Sequence, residues 1–130
     1  FTNDPYSGLN LKTRPDLYIP ETGQIFDIKT TIDASPKGFA EQVGKYAYHI
    51  QAAFYLYTCK LAGLEAKEFS FIAIEKTSPY IAHLHKVSPE LMMKSLETVK
   101  ETLVEIAEAN LTGEYGTGWG DYSTLKVGDF

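Results

Sequence analysis

Asp16 and Asp27 are separated by ten residues, and Lys29 follows two positions later. Residues i and i+2 of a strand share a face, so Asp27 and Lys29 point the same way if residues 25–32 (IFDIKTTI) are extended. A turn through residues 20–24 (PETGQ) then brings Asp16 onto the neighbouring strand, beside Ile28 and Lys29. Two apposed carboxylates repel unless a cation joins them, so a divalent metal is the natural occupant of such a pair. Oxygen donors without cysteine favour Mg²⁺ or Mn²⁺ over zinc. The backbone carbonyl of Ile28 offers a further oxygen. Lys29 is placed to orient or activate a water and to help neutralise a phosphate. The same residues also suit a plainer role, because a cross-strand Asp–Lys pair is ordinary surface decoration.

A second group lies on a helix. Tyr48, Gln51 and Tyr55 are spaced by three and four, which makes one stripe on a helix of 3.6 residues per turn. That stripe lies roughly 120° from the centre of the apolar stripe formed by Phe39, Val43, Tyr46, Ala47, Ile50, Phe54, Tyr57 and Leu61. With the apolar stripe packed on a sheet, the polar one turns toward a cleft beside the hairpin, or remains a half-exposed flank. Gln51 both donates and accepts, which suits it to hold a water or a phosphate oxygen. Tyr48 and Tyr55 suit stacking on bases or bonding phosphate.

The elements that must position these residues follow from local chemistry. Residues 1–8 (FTNDPYSG) read as an irregular lead-in. Residues 9–19 read as one strand, with Pro15 at an edge or an irregularity, and residues 25–32 as the next. Ser35-Pro36 starts a helix expected to run unbroken to about Leu61, with Gly63 as its stop. Residues 69–76 and 80–87 read as two further strands joined at Thr77-Ser78-Pro79. Ser88-Pro89 starts a second helix that ends near Gly113. The order ββαββα describes an α/β (α+β) domain with a sheet flanked by helices. The domain covers 1–112, and 113–130 form a Gly-rich tail that carries Trp119 and Tyr122.

The segments RPD at 14–16, DIKTT at 27–31 and YHIQAAFYL at 48–56 resemble the PD-(D/E)xK nuclease superfamily. They are most similar to its RecE-type branch, the exonuclease VIII-like nucleases of phages and prophages. FIAIEKTSPY at 71–80 has the look of the same branch. The resemblance implies a restriction-endonuclease-like core with a mixed sheet. It makes Asp16 and Asp27 metal ligands, Lys29 the catalytic lysine, and Gln51 and Tyr55 a helix motif shared with RecB-like nucleases. It also implies Mg²⁺-dependent hydrolysis of phosphodiester bonds in linear duplex DNA, typically 5′ to 3′, during phage-type recombination in the bacterial cytoplasm. A homo-oligomeric ring around DNA and a single-strand annealing partner come with it. The family fold begins with a helix and a strand that usually supply a further His or Glu ligand. Only eight residues precede the first strand here, and His49, His83 and His85 all come later. Since the chain starts with Phe, not Met, either an upstream segment of the domain holds that ligand or the site is incomplete. Alternatives are a related RecB-like nuclease of other polarity, or a non-catalytic DNA-binding or assembly module that keeps the fold. A CRISPR-associated RecB-like exonuclease usually carries an iron–sulfur cysteine cluster, which the single Cys59 does not supply.

Composition bounds these readings. A chain of 130 residues, 44% hydrophobic and 22% charged, makes one modest globular domain. One cysteine excludes an intrachain disulfide framework and multi-cysteine metal sites. No apolar run reaches the roughly 20 residues of a membrane span, and no signal peptide opens the chain. The net charge of −5 excludes a bulk polyelectrolyte grip on DNA. Residues 1–64 nevertheless hold six acids and six bases, so the acidity belongs to the last helix and the tail. Glu97, Glu101, Glu105 and Glu108 read as the solvated side of that helix, opposite Leu96, Val99, Leu103 and Ile106. Met92 and Met93 read as core or interface filler. His83 and His85 share a strand face without a third ligand and read as surface groups, while Lys76 is either solvated or within reach of a phosphate. Cys59 reads as a small buried apolar group.

Overall fold

In the computed structural model, which describes residues 1–116 and 124–128, nine elements follow one another. They are β1 (Thr2–Asn3), β2 (Asn10–Leu11), β3 (Leu17–Ile19), β4 (Gln24–Thr31), α1 (Pro36–Tyr46), α2 (Tyr48–Leu61), β5 (Glu68–Glu75), β6 (Ala82–Lys86) and α3 (Pro89–Thr112). The α1 and α3 starts follow the cap chemistry in the sequence. Ser35 Oγ accepts from the Gly38 N–H at 3.2 Å, and Ser88 Oγ accepts from the Leu91 N–H at 3.2 Å. Each serine is followed by proline, whose missing N–H costs a first-turn position nothing. The tail residues Trp119 and Tyr122 lie outside the described residues.

The main sheet has the order β3-β4-β5-β6. β3 and β4 form an antiparallel hairpin, β4 and β5 run parallel through the α1–α2 crossover, and β5 and β6 are antiparallel. This is the expected mixed sheet flanked by helices. The register pairs Ile25 with Phe69, Asp27 with Phe71 and Lys29 with Ala73. Period-2 alternation therefore puts Asp27 and Lys29 on the same face as the buried Ile25, Phe69, Phe71 and Ala73. Both crossover helices cover that face: Phe39 and Tyr48 meet the Phe71 ring at 5.8 and 5.9 Å, and Tyr55 meets Phe69 at 6.3 Å. α3 packs on α2 and buries Met92, Val99 and Leu103. The opposite sheet face is open, with Leu17 47%, Ile28 50% and Leu84 48% exposed.

Three expectations are corrected. The single strand over 9–19 is two short strands separated by Lys12–Asp16. Pro15 has no amide N–H to give a ladder and restricts Arg14 before it, so pairing lapses there. The lead-in is not irregular throughout, because β1 pairs antiparallel with β2. The helix over 35–61 breaks at Ala47, whose backbone is left-handed at φ 55° and caps α1 with its N–H on the Val43 carbonyl. The break resets the helical phase. Tyr46 and Ala47, expected in the buried stripe, are exposed, while α2 buries Ala52, Ala53, Leu56, Tyr57 and Cys59. Smaller differences occur on α3, where Met92 is buried but Met93 and Ile106 are exposed.

Candidate active site

The β3–β4 turn sets the hairpin. Gly23 is buried with φ +72°, and its carbonyl accepts from the Lys67 N–H at 2.7 Å, so the turn is anchored to the start of β5. The β3–β4 ladder ends at Leu17 opposite Phe26. Beyond that point Asp16 takes the place of a strand partner: its Oδ2 accepts from the Ile28 N–H at 2.8 Å. The N–H and C=O of one strand residue project to the same edge, so the Ile28 carbonyl also faces the Asp16 side. Asp16, Ile28, Asp27 and Lys29 thus converge at the open end of the hairpin.

Their charges are mutually constrained. Asp27 is 5% exposed, and Lys29 Nζ lies 3.0 Å from its Oδ2. Beyond this ion pair the buried Oδ2 has no further hydrogen-bond partner. Burial is the main reason the Asp27 carboxyl is pushed above its ordinary value; the Asp16 carboxyl adds to the shift and Lys29 opposes it. Asp16 is exposed and shifted the other way, chiefly by the Ile28 N–H and further by its hydrogen-bonding partner Asp27 and by the charges of Lys29 and Arg14. Two carboxylates and a carbonyl on the same edge form a hard oxygen donor set that fits a divalent cation. Among the described residues no group of three His, Cys, Asp or Glu forms around it.

α2 completes the wall. The Lys29 ammonium lies 4.4 Å from the centre of the Tyr48 ring, within cation–π range. That ring is held in a cluster with Phe39 at 6.1 Å, Tyr46 at 5.6 Å and Phe71. Tyr48, which the sequence offered as a base-stacking residue, is therefore engaged with the lysine. Gln51 is half-buried one turn along α2. Tyr55 is half-buried a further turn on, and it lines a cavity with Phe1, Lys12, Thr13 and Arg14. Lys76 is exposed just past β5, with its backbone N–H on the Thr31 carbonyl, and takes no part in the cluster. His83 is exposed, and His85 stacks on Phe39 at 4.5 Å with Nε2 3.0 Å from the Ala34 carbonyl, a packing role. Cys59 is buried, and burial raises its thiol pKa. Lys12 and Arg14 were not singled out by chemistry in the sequence. The signal was their spacing with Asp16, since positions 12, 14 and 16 share one side of an extended segment.

A mixed sheet that presents Asp16, Asp27 and Lys29 at the end of a hairpin, with a helix bearing Gln51 behind, defines a PD-(D/E)xK nuclease-type domain. Residues 1–118 match the PDDEXK-like domain of unknown function (DUF3799), and the chain belongs to that family. Nucleases of this class use divalent metals. The crystal structure of a "Putative exonuclease" from Eubacterium rectale superposes with a TM-score of 0.65 at 20% identity, covering 96% of this chain. That likeness establishes a shared fold. The chain spans about half of that protein, 51% of its length. No curated protein matches the chain. Among the described residues no helix is long and apolar enough to cross a membrane.

Proposed function

We propose that this domain is a divalent-metal-dependent DNA exonuclease of the RecE type, acting on the ends of linear duplex DNA. The observation that carries the reading is the convergence of Asp16, Asp27 and Lys29, with the buried Asp27 carboxyl ion-paired to the Lys29 ammonium. Asp16, Asp27 and the Ile28 carbonyl would hold Mg²⁺ or Mn²⁺. When bound, the cation supplies positive charge against the phosphate and polarises the attacking water. Lys29 orients that water and offsets the charge that develops on the phosphate oxygens in the in-line displacement. Gln51 and Tyr55 position the strand from α2. In this reading the digestion runs 5′ to 3′ and feeds an annealing protein in phage-type recombination in a bacterial cell. The full enzyme assembles as a ring around its DNA.

A second reading is a DNA-binding module that keeps the fold without cutting. The observation in its favour is the pair of carboxylates without a third acidic or histidine neighbour among the described residues. One set of measurements separates the two. Digestion of linear duplex DNA with Mg²⁺ should be abolished by Asp27→Ala and by Lys29→Ala, and Asp16→Asn should remove Mn²⁺ binding in a calorimetric titration. DNA binding indifferent to metal, with no digestion, selects the module instead. Normal digestion by either alanine variant sinks the site assignment.

A further inference from the structure

The segment that leads into Asp16 carries chemistry that the metal cluster does not use. A cavity of about 390 Å³ lies between it and α2, lined by Phe1, Lys12, Thr13, Arg14 and Tyr55. Lys12 and Arg14 are exposed, and among the described residues neither enters an ion pair. The neighbour of the Lys12 ammonium is the Phe1 ring at 5.8 Å. Thr13 Oγ1, 3.9 Å from Cys59 Sγ, fixes the middle of the segment against α2 while its two cationic neighbours stay exposed. Two cations outside any ion pair, lining a cavity together with a tyrosine, fit an anion with several acceptor oxygens. They lie in the charge-balanced half of a chain whose net charge is −5, so the attraction is local to this wall.

We propose that the cavity walled by Lys12, Thr13, Arg14 and Tyr55 is a phosphate-binding subsite, which holds the DNA backbone beside the phosphate presented to Asp16, Asp27 and Lys29. The proposal rests on the nuclease reading and deepens it. α2 links the two places: Tyr48 meets Lys29 at one end of the stripe and Tyr55 closes the cavity two turns on. A backbone phosphate held there is contacted equally before and during bond cleavage. The subsite therefore contributes to KM and to salt dependence and leaves kcat nearly alone.

The test compares wild type with Lys12→Gln, Arg14→Gln and the double variant, using Lys94→Gln on exposed α3 as a remote charge control. Digestion of a linear duplex with Mg²⁺ gives kcat and KM, and fluorescence anisotropy of a labelled duplex in EDTA gives binding against salt. The double variant should raise KM about ten- to a hundredfold, the loss expected for charge-assisted hydrogen bonds. Its log–log salt slope should be shallower by about 1 to 2. Lys12→Glu should weaken binding further than Lys12→Gln, and Lys94→Gln should change neither quantity. Unchanged KM and slope in the double variant, or an equal loss from Lys94→Gln, overturns the subsite and leaves the nuclease reading standing. If wild type fails to digest DNA, the nuclease reading falls and the anisotropy arm still decides the subsite. Absence of wild-type DNA binding overturns the subsite.

Discussion

The ammonium of Lys29 lies between Asp27 Oδ2 at 3.0 Å and the face of the Tyr48 ring at 4.4 Å. The carboxylate attracts the charge, and the ring's negative face fixes where it lies, so Tyr48 acts as a positioning residue for the lysine. A partly desolvated cation–π contact of this kind is worth about 1–2 kcal/mol, or roughly tenfold in rate if it acts only in the transition state. Tyr48→Leu should therefore lower kcat about tenfold with KM nearly constant, whereas Tyr48→Phe, which keeps the ring, should stay within about twofold of wild type. Thermal unfolding of both variants checks that the loss is not a loss of fold. A Tyr48→Leu enzyme as fast as wild type would remove the ring from the mechanism. At this scale the sequence was informative wherever the chemistry depended on period-2 spacing. Asp27 and Lys29 share a face because any strand makes them do so. The Lys29–Tyr48 contact was hidden because it joins a strand to a helix start nineteen residues away.

Two elements hold their geometry by backbone conformations of opposite chemical comfort. Gly23 adopts φ +72°, and a Cβ there would lie 2.7 Å from the Glu65 carbonyl oxygen. That contact is to backbone, which cannot move aside cheaply. Gly23→Ala should lower stability by about 2 kcal/mol or more, because strain and clash add. Ala47 occupies the left-handed region with a Cβ, at φ 55°. Ala47→Gly should raise stability by about 1 kcal/mol, because glycine is the residue such a helix end prefers. Urea denaturation with an unchanged m-value would measure both shifts. The apolar steps of three and four run straight through Ala47 in the sequence, so periodicity alone could not show the break. The break lets each helix lay its own aromatics on the sheet, Phe39 of α1 and Tyr48 of α2 on Phe71, and Tyr55 of α2 on Phe69.

The whole molecule is pinned at its N-terminal side by a buried carboxylate. Asp4 is 2% exposed, and its oxygens accept from the Tyr57 hydroxyl at 2.5 Å, from Ser7 Oγ and from the Ser7 N–H at 3.1 Å. Burial works against its ionisation, but these hydrogen bonds together outweigh it, so the folded-state pKa lies below the ordinary value of 3.8. The stability it contributes is complete above that ordinary value and is lost as pH falls through the depressed folded value. Tyr57 is shifted upward, first by burial and then by Asp4. Its contribution is present below the ordinary value of 10.0 and is lost as pH rises through the raised folded value. Asp4→Asn should therefore flatten the decline of stability below about pH 4 and weaken its alkaline decline, and should cost about 2 kcal/mol at neutral pH. Urea unfolding from acid to alkaline pH would check this. An unaltered profile would show that Asp4 does not tie β1–β2 to α2.

The residue order alone determined that this is a mixed α+β domain, where its capped helices begin, and which three residues meet at the hairpin. Each of those follows from chemistry within a few positions: a Ser-Pro cap, a turn, or alternation along a strand. The tertiary structure decided that β2 and β3 part at Pro15, that the crossover helix breaks at Ala47, and that Lys12 and Arg14 line a cavity together with Tyr55. Those outcomes depend on which surfaces are buried against which. Burial is a property of segments far apart in sequence, and local spacing does not encode it.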